Sequence, residues 1–222
     1  EDDDEISIGC AGGVDITSTG TYTPEDSIHE GTTGLKIIVK GGAGGHSGMD
    51  IHKGIANANK LINRVLLEVL ESVDIRVSEI HGGGLRNAIP REAHALIVVS
   101  EQDMKTLEEA INNTKADITA EYKTTDPHLS ISWEREKTPP QALPEDVQHV
   151  LLLAIQTCPV GIHRMSPDIE GLVQTSNNLA RIDVGGGDVN IQCLNRSSVD
   201  SEKGDHARSI EAAFTIAGLT SE

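Results

Sequence analysis

Apolar and polar residues alternate along the chain in short runs typical of β-strands, and longer runs between them have the period of a helix. Strict alternation, or a short apolar run between turn residues, predicts a strand. Up to residue 137 this pattern predicts four strands, LKIIVK (35–40), DIRVSEI (74–80), HALIVVS (94–100) and LSISW (129–133).

Two predicted helices lie between these strands. Apolar residues recur at helical spacing over 51–69 and again over 107–122. Ser47, followed by Asp50, is typical of a reciprocal cap at the start of the first helix, and Asp103 is a candidate cap for the second. The resulting order, β-α-β-β-α-β, is that of a ferredoxin-like unit.

The segment TPPQALP (138–144) separates this unit from a second, similar pattern. A helix is predicted near 145–157, strands near 171–184 and 189–196 with GGGD (185–188) as their hairpin turn, and a helix at 201–218. We therefore predict an α+β fold of two tandem ferredoxin-like units, with the helices on one face of an antiparallel sheet. Residues 1–32 are predicted to form a connecting arm and edge strand, 33–137 the first unit and 138–222 the second.

The amino-acid composition limits the classes of protein to which this chain can belong. Hydrophobic residues make up 37% of the chain and charged residues 24%, a profile typical of globular domains. The formal net charge of −17 and the aromatic content of 2% argue against nucleic-acid binding, which needs a basic surface or stacking aromatics. No apolar run approaches the ~20 residues of a membrane span. Cys10, Cys158 and Cys193 are unclustered, which favours a reducing cytoplasm over a disulfide framework.

The glycine-rich segment GGAGGHSGMDIHKG (41–54) does not fit the common catalytic patterns. Ser47 stands where a dinucleotide-binding G-x-G-x-x-G needs its last glycine, and Met49 where a nucleophile elbow needs one. A serine hydrolase using Ser47 also fails, because no base can be assigned to it. His46 and His52, at i and i+6, would point to different faces of a helix. We therefore predict no metal ligands in this chain.

Three polar residues outside those patterns have a shared chemistry. His46 lies at the predicted start of a helix, Asn87 in the loop before a proline, and Arg196 at the end of a hairpin strand. An imidazole donor, an amide and a guanidinium together suit a carboxylate or an oxyanion. The alternative is that His46 and Asn87 bond within their loops while Arg196 forms a surface ion pair, and the residue types leave both interpretations open.

Five segments of the chain are long enough to compare with known families. They are IGCAGGVD (8–15), GGHSGMDIHKGIANANKLINRVL (44–66), GGGLRNAIPREA (82–93), HRMSPDIEGLVQTSNNLA (163–180) and NRSS (195–198). Through these segments the chain resembles the aminoacyl-histidine dipeptidases of the M20 metallopeptidase family. The resemblance covers nearly the whole chain in order, with two departures, Ile55 where Arg or Gly is expected and Gln174 where Glu is expected.

The resemblance implies that this chain is the lid domain of a cytoplasmic dipeptidase that cleaves Xaa-His substrates. It implies two zinc ions whose ligands lie in a catalytic domain outside this chain, so the isolated chain is expected to be inactive. It implies that His46 leans over the metal centre and donates to the oxyanion, while Asn87 and Arg196 hold the dipeptide. A homodimer is left open. The alternative function is a stand-alone ferredoxin-like regulatory or dimerisation module, because this fold hosts many functions.

Overall fold

The structure, a computed structural model that describes residues 11–222, contains a nine-stranded antiparallel sheet, two two-stranded sheets and four α-helices. The predicted α+β class is confirmed. The helices are α1 (Ala58–Leu70), α2 (Met104–Tyr122), α3 (Glu145–Thr157) and α4 (Asp200–Ile216). The strands are β1 (Gly12–Thr21), β2 (Glu25–Asp26), β3 (Thr32–Lys40), β4 (Gly45–His46), β5 (Ile75–Gly83), β6 (Ala88–Ile89), β7 (Ala93–Ser100), β8 (Ser130–Glu136), β9 (Gln141–Ala142), β10 (Gly161–Met165), β11 (Val173–Gly185), β12 (Asp188–Ser197) and β13 (Thr220–Ser221).

The strand order of the main sheet is β13-β1-β12-β11-β5-β7-β3-β8, and β10 also pairs with β11. Strands β3, β5, β7 and β8, with α1 and α2 between them, have the order β8-β3-β7-β5, which is the ferredoxin-like arrangement predicted from the pattern. Beyond them, β11 and β12 form the predicted hairpin, and β1 pairs with β12 along its full length. Residues 1–10 of the predicted arm lie outside the described part of the chain.

Residues from both halves of the chain share one hydrophobic core. β5 pairs with β11 from Gly83↔Arg181 to Ile80↔Val184, so the sheet continues across the predicted boundary at 137/138. Gln148 of α3 accepts a hydrogen bond from the amide of Val77 in β5 at 2.6 Å. Because the sheet and the core are continuous across this boundary, the division into two units at 137/138 describes the order of elements along the chain and stays a prediction.

The helices form a layer on the sheet, and α1 contacts both α2 and α3. Leu61, Ile62, Val65, Leu66 and Val69 bury the inner face of α1 almost completely. Each such side chain contributes about 1.5–3 kcal/mol when it is withdrawn from water. In residues 11–222 no helix combines the length and the apolar character that crossing a bilayer requires.

The first predicted helix begins later than its apolar spacing suggested. Asn57 caps α1, because its Oδ1 accepts hydrogen bonds from the amides of Asn59 and Lys60. The prediction that Ser47 caps this helix is wrong. Ser47 is buried, and its hydroxyl has no hydrogen-bond partner among the described residues, while Asp50 accepts from the amide of His46.

Candidate functional site

The segment from residue 41 to residue 57 is a loop with one short 3-10 turn, and it crosses the end of the sheet. It is anchored by the pairing of β4 with β6, in which His46 stands opposite Ala88. Gly44 adopts φ +66°, and a Cβ there would lie 2.4 Å from Cγ of Arg91. Only glycine combines a left-handed backbone with so close an approach, so the glycines of this segment fix its path.

His46 is held in one orientation by its own loop. Its Nδ1 accepts hydrogen bonds from the amides of Gly48, at 3.2 Å, and Met49, at 3.1 Å. Because Nδ1 is the acceptor, the proton of the neutral ring lies on Nε2, which is then a donor. The amide of His46 donates to Oδ2 of Asp50 at 2.7 Å. The ammonium of Lys53, followed by this amide, lowers the pKa of Asp50, so the Asp50 carboxylate is charged at neutral pH.

Arg196 lies on the face of the sheet opposite to the helices. It is opposite Gly13 of β1 and Ser176 of β11, in the interior of the sheet. The neighbouring Asn195 is buried on the helix side, where its Nδ2 donates to the carbonyl of Lys203 in α4. Because successive side chains of a strand point to opposite faces, Arg196 points away from α4.

Within residues 11–222 the guanidinium of Arg196 has no acidic partner. Its Nε is buried and has no hydrogen-bond acceptor within residues 11–222, and those residues offer it no carboxylate for an ion pair. A buried donor without an acceptor costs about 1–3 kcal/mol. Most other arginines have acidic partners, among them Arg64 with Glu121 and Arg135 with Glu101, and Arg91 donates to the carbonyl of Gly42. Arg196 is therefore suited to bind an anion supplied from outside the domain.

Gly48 lies between His46 and Arg196. A Cβ placed on Gly48 would lie 3.3 Å from Cε1 of His46 and 3.4 Å from both Cδ and Nε of Arg196. The two side chains therefore line the same small space, although 150 positions separate them along the chain. The absence of a side chain at Gly48 keeps that space open.

Asn87 lies beside the His46 loop, because its carbonyl accepts a hydrogen bond from the amide of Ser47 at 2.8 Å. Its side chain is exposed and makes no hydrogen bond within the described part of the chain. The structure thus places both Asn87 and Arg196 next to the segment that carries His46. The role of each of the three residues stays a prediction.

Sequence reasoning missed Asn178, which holds the Asn87 loop in place. Asn178 is fully buried in β11, and its Nδ2 donates to the carbonyls of Arg86, at 3.2 Å, and Ala88, at 2.8 Å. Its Oδ1 accepts from Nδ2 of Asn57, the cap of α1. The sequence did contain a signal for this role, an asparagine in the middle of a buried strand, because a buried side-chain amide needs hydrogen-bond partners inside the protein.

The described residues supply no metal site of their own. No group of three or more His, Cys, Asp or Glu side chains in residues 11–222 converges on a point where an ion could bind. The donors around His46 are N–H groups, which suit an anion rather than a cation. We therefore derive no step through a metal from this chain.

Within residues 11–222, the site thus combines an arginine without an acidic partner and a histidine whose ring is oriented by its own loop. Residues 28–126, slightly less than half of the chain, match the family model of the M20 peptidase dimerisation domain.

Two relatives are similar to this chain over nearly its whole length. The chain is 33% identical over 222 residues to the cytosol non-specific dipeptidase of Escherichia coli strain K12, and it covers 46% of that protein. It matches the crystal structure of aminoacylhistidine dipeptidase from Vibrio alginolyticus with a TM-score of 0.93 and 35% identity, covering 97% of this chain and 44% of that one. The chain thus spans less than half the length of either relative.

Proposed function

We propose that this domain covers the active site of an M20 dipeptidase and contributes binding and catalytic side chains to it. The observation that carries the proposal is the orientation of His46 beside Arg196. Two loop amides donate to Nδ1, which leaves Nε2–H as the donor of the neutral ring, and the neighbouring Arg196 has a buried Nε without an acceptor among residues 11–222. A fixed donor and a fixed cation at this spacing fit the oxyanion and the carboxylate of one dipeptide.

In this proposal His46 acts on the transition state. Nε2–H donates to the scissile carbonyl as negative charge develops on its oxygen. Because the ring is already oriented by its loop, little reorganisation is needed during the reaction. A preorganised donor of this kind lowers the barrier by about 3–4 kcal/mol. His46 would be brought into place when the domain closes over the substrate, which also excludes water.

Arg196 and Asn87 hold the substrate in the proposed complex. The guanidinium of Arg196 pairs with the terminal carboxylate of a dipeptide, which explains a preference for dipeptides over longer chains. The exposed amide of Asn87 supplies a further hydrogen bond. We propose Xaa-His dipeptides such as β-alanyl-histidine as the substrates, because the matched Vibrio alginolyticus protein is an aminoacylhistidine dipeptidase.

The metal and the partners of the domain are also part of the proposal. Two zinc ions would be bound by a catalytic domain elsewhere in the full-length protein. Homodimer formation is supported by the match of residues 28–126 to a dimerisation domain. A cytoplasmic location is supported by the relative named as a cytosol dipeptidase.

The proposal is tested by comparing substrates with and without a charged terminal carboxylate. In the full-length protein that contains this chain, Arg196→Ala is compared with the parent on β-alanyl-histidine and on its C-terminal amide. Loss of a charge-assisted contact worth about 1.5–3 kcal/mol should raise KM for the free acid about tenfold to hundredfold and abolish the preference over the amide. Arg208→Ala, which removes an exposed ion pair with Asp205 on α4, is the matched control. If Arg196→Ala still prefers the free acid as the parent does, the proposed role of Arg196 is wrong.

A further inference from the structure

The buried carboxylate of Asp126 ties down the segment that carries His46. Asp126 lies in the turn between α2 and β8 and is 3% exposed. Its Oδ1 accepts a hydrogen bond from the amide of Ala43 at 2.7 Å, and its Oδ2 accepts one from the amide of Ala56 at 2.9 Å. These two amides stand on either side of His46 along the chain, so one side chain holds both ends of the segment.

The anchor itself is rigid. The amide of Asp126 donates to the carbonyl of Tyr122 at the end of α2, and its carbonyl accepts from the amide of Leu129. Within residues 11–222 Asp126 forms no ion pair, so the two loop amides are what satisfy its oxygens. Burying a carboxylate is costly unless it is hydrogen-bonded, and bonds to a charged acceptor are about twice as strong as neutral ones. Both contacts therefore strongly favour one path of the segment.

The direction of the His46 ring follows from that path. Among residues 11–222, the hydrogen bonds to the ring come from amides of its own segment, those of Gly48 and Met49. If the ends at Ala43 and Ala56 move, the two amides move and Nε2–H changes direction with them. We infer that Asp126 is a positioning residue for His46, acting through the backbone of 43–56. This inference rests on the proposed function of His46.

The test is a double-mutant cycle in the full-length protein with β-alanyl-histidine as substrate. Asp126→Asn keeps the shape of the side chain but places an NH2 group against one of the two amides. A misplacement of about 1 Å costs up to about a hundredfold in rate, so we expect kcat to fall about tenfold or more while KM changes by less than about twofold. In a His46→Ala background, Asp126→Asn should change kcat no further.

Gln148→Leu is the matched control for a merely structural role. Gln148 is equally buried and also bonds two backbone groups, the amide of Val77 and the carbonyl of Ile75, but far from the His46 segment. We expect it to lower Tm as Asp126→Asn does and to leave kcat unchanged. Should Asp126→Asn fail to fold, Asp126→Ser, which keeps one acceptor, replaces it.

A second readout does not depend on activity. In Asp126→Asn the amides of Gly48 and Met49 should exchange hydrogen about tenfold faster, while amides of the central strands keep their protection. Unchanged exchange at Gly48 and Met49 overturns the inference, and so does an equal loss of kcat with and without His46. If His46→Ala alone leaves kcat unchanged, the proposed function of His46 fails, and the exchange data still decide whether Asp126 positions the loop.

Discussion

Replacing Asn178 should loosen the loop that presents Asn87 without disturbing the hydrophobic core. Asn178 is 0% exposed and takes part in three hydrogen bonds, two donated to the carbonyls of Arg86 and Ala88 and one accepted from Asn57. Asn178→Ala removes all three. Asn57 keeps its second acceptor, the carbonyl of Leu179, so only part of its bonding is lost.

The magnitude follows from these contacts. At about 1 kcal/mol for each hydrogen bond, the loss is at most about 3 kcal/mol. The carbonyls of Arg86 and Ala88 belong to partly exposed residues, which water can reach, so we expect about 2–3 kcal/mol. For a chain of this size that corresponds to a fall in Tm of about 4–12 °C. Asn178→Asp has the same shape but points acceptors at two carbonyls, so it should be at least as destabilising.

The assay is thermal and urea unfolding of the 222-residue chain, followed by circular dichroism. Asn112→Ala makes the same replacement on the exposed face of α2 and should change the free energy of unfolding by less than about 0.5 kcal/mol. If Asn178→Asp is as stable as the parent, or Asn178→Ala lies within the range of the control, the hydrogen bonds assigned to Asn178 do not hold this loop.

Two further predictions concern the buried side chains of His206, Cys158 and Cys193. Burial lowers the pKa of His206 in the folded state, so the unfolded chain binds more protons below about pH 6.5, and the free energy of unfolding should fall as pH drops. His206→Gln, which can still donate to Asn195, should weaken the fall of the free energy of unfolding between pH 7.5 and 5. An unchanged pH dependence of this free energy would rule out His206 as the cause of the fall. The Sγ atoms of Cys158 and Cys193 lie 3.8 Å apart, and the hydrogen bond between the two thiols, together with burial, raises the pKa of Cys193. In a Cys10→Ser variant we expect neither thiol to react with Ellman's reagent until denaturant is added, whereas stoichiometric reaction of the native chain would contradict this.

The elements of the fold could be predicted from the sequence wherever burial imposes a clear period. Strands β5 and β7 and the stripe Leu107, Ile111 and Ile118 of α2 were predicted because one face of each is buried. β10 was missed, since four of its five residues are exposed and no alternation marks it. Its pairing with β11 is a tertiary contact that no short window contains.

The start of α1 could not be predicted for a related reason. Ile51 and Ile55 repeat at helical spacing, and Ser47 with Asp50 imitates a capping pair. The chain nevertheless stays a loop there, because its amides are bonded to partners distant in sequence, the carbonyl of Asn87 and the carboxylate of Asp126. Residue types alone suggested His46, Asn87 and Arg196 as an anion-binding set, and the family resemblance gave each a role. That His46 and Arg196 share the space beside Gly48 is visible only in three dimensions.

The most direct test of the account is the turnover of the full-length protein with His46→Ala, measured on β-alanyl-histidine with the metal content checked. His52→Ala, an exposed histidine of the same segment, is the matched control. We predict that kcat of His46→Ala falls about a hundredfold or more with metal content and KM little changed, because an oxyanion donor acts in the transition state. A kcat equal to that of His52→Ala would contradict the account and leave His46 a loop residue.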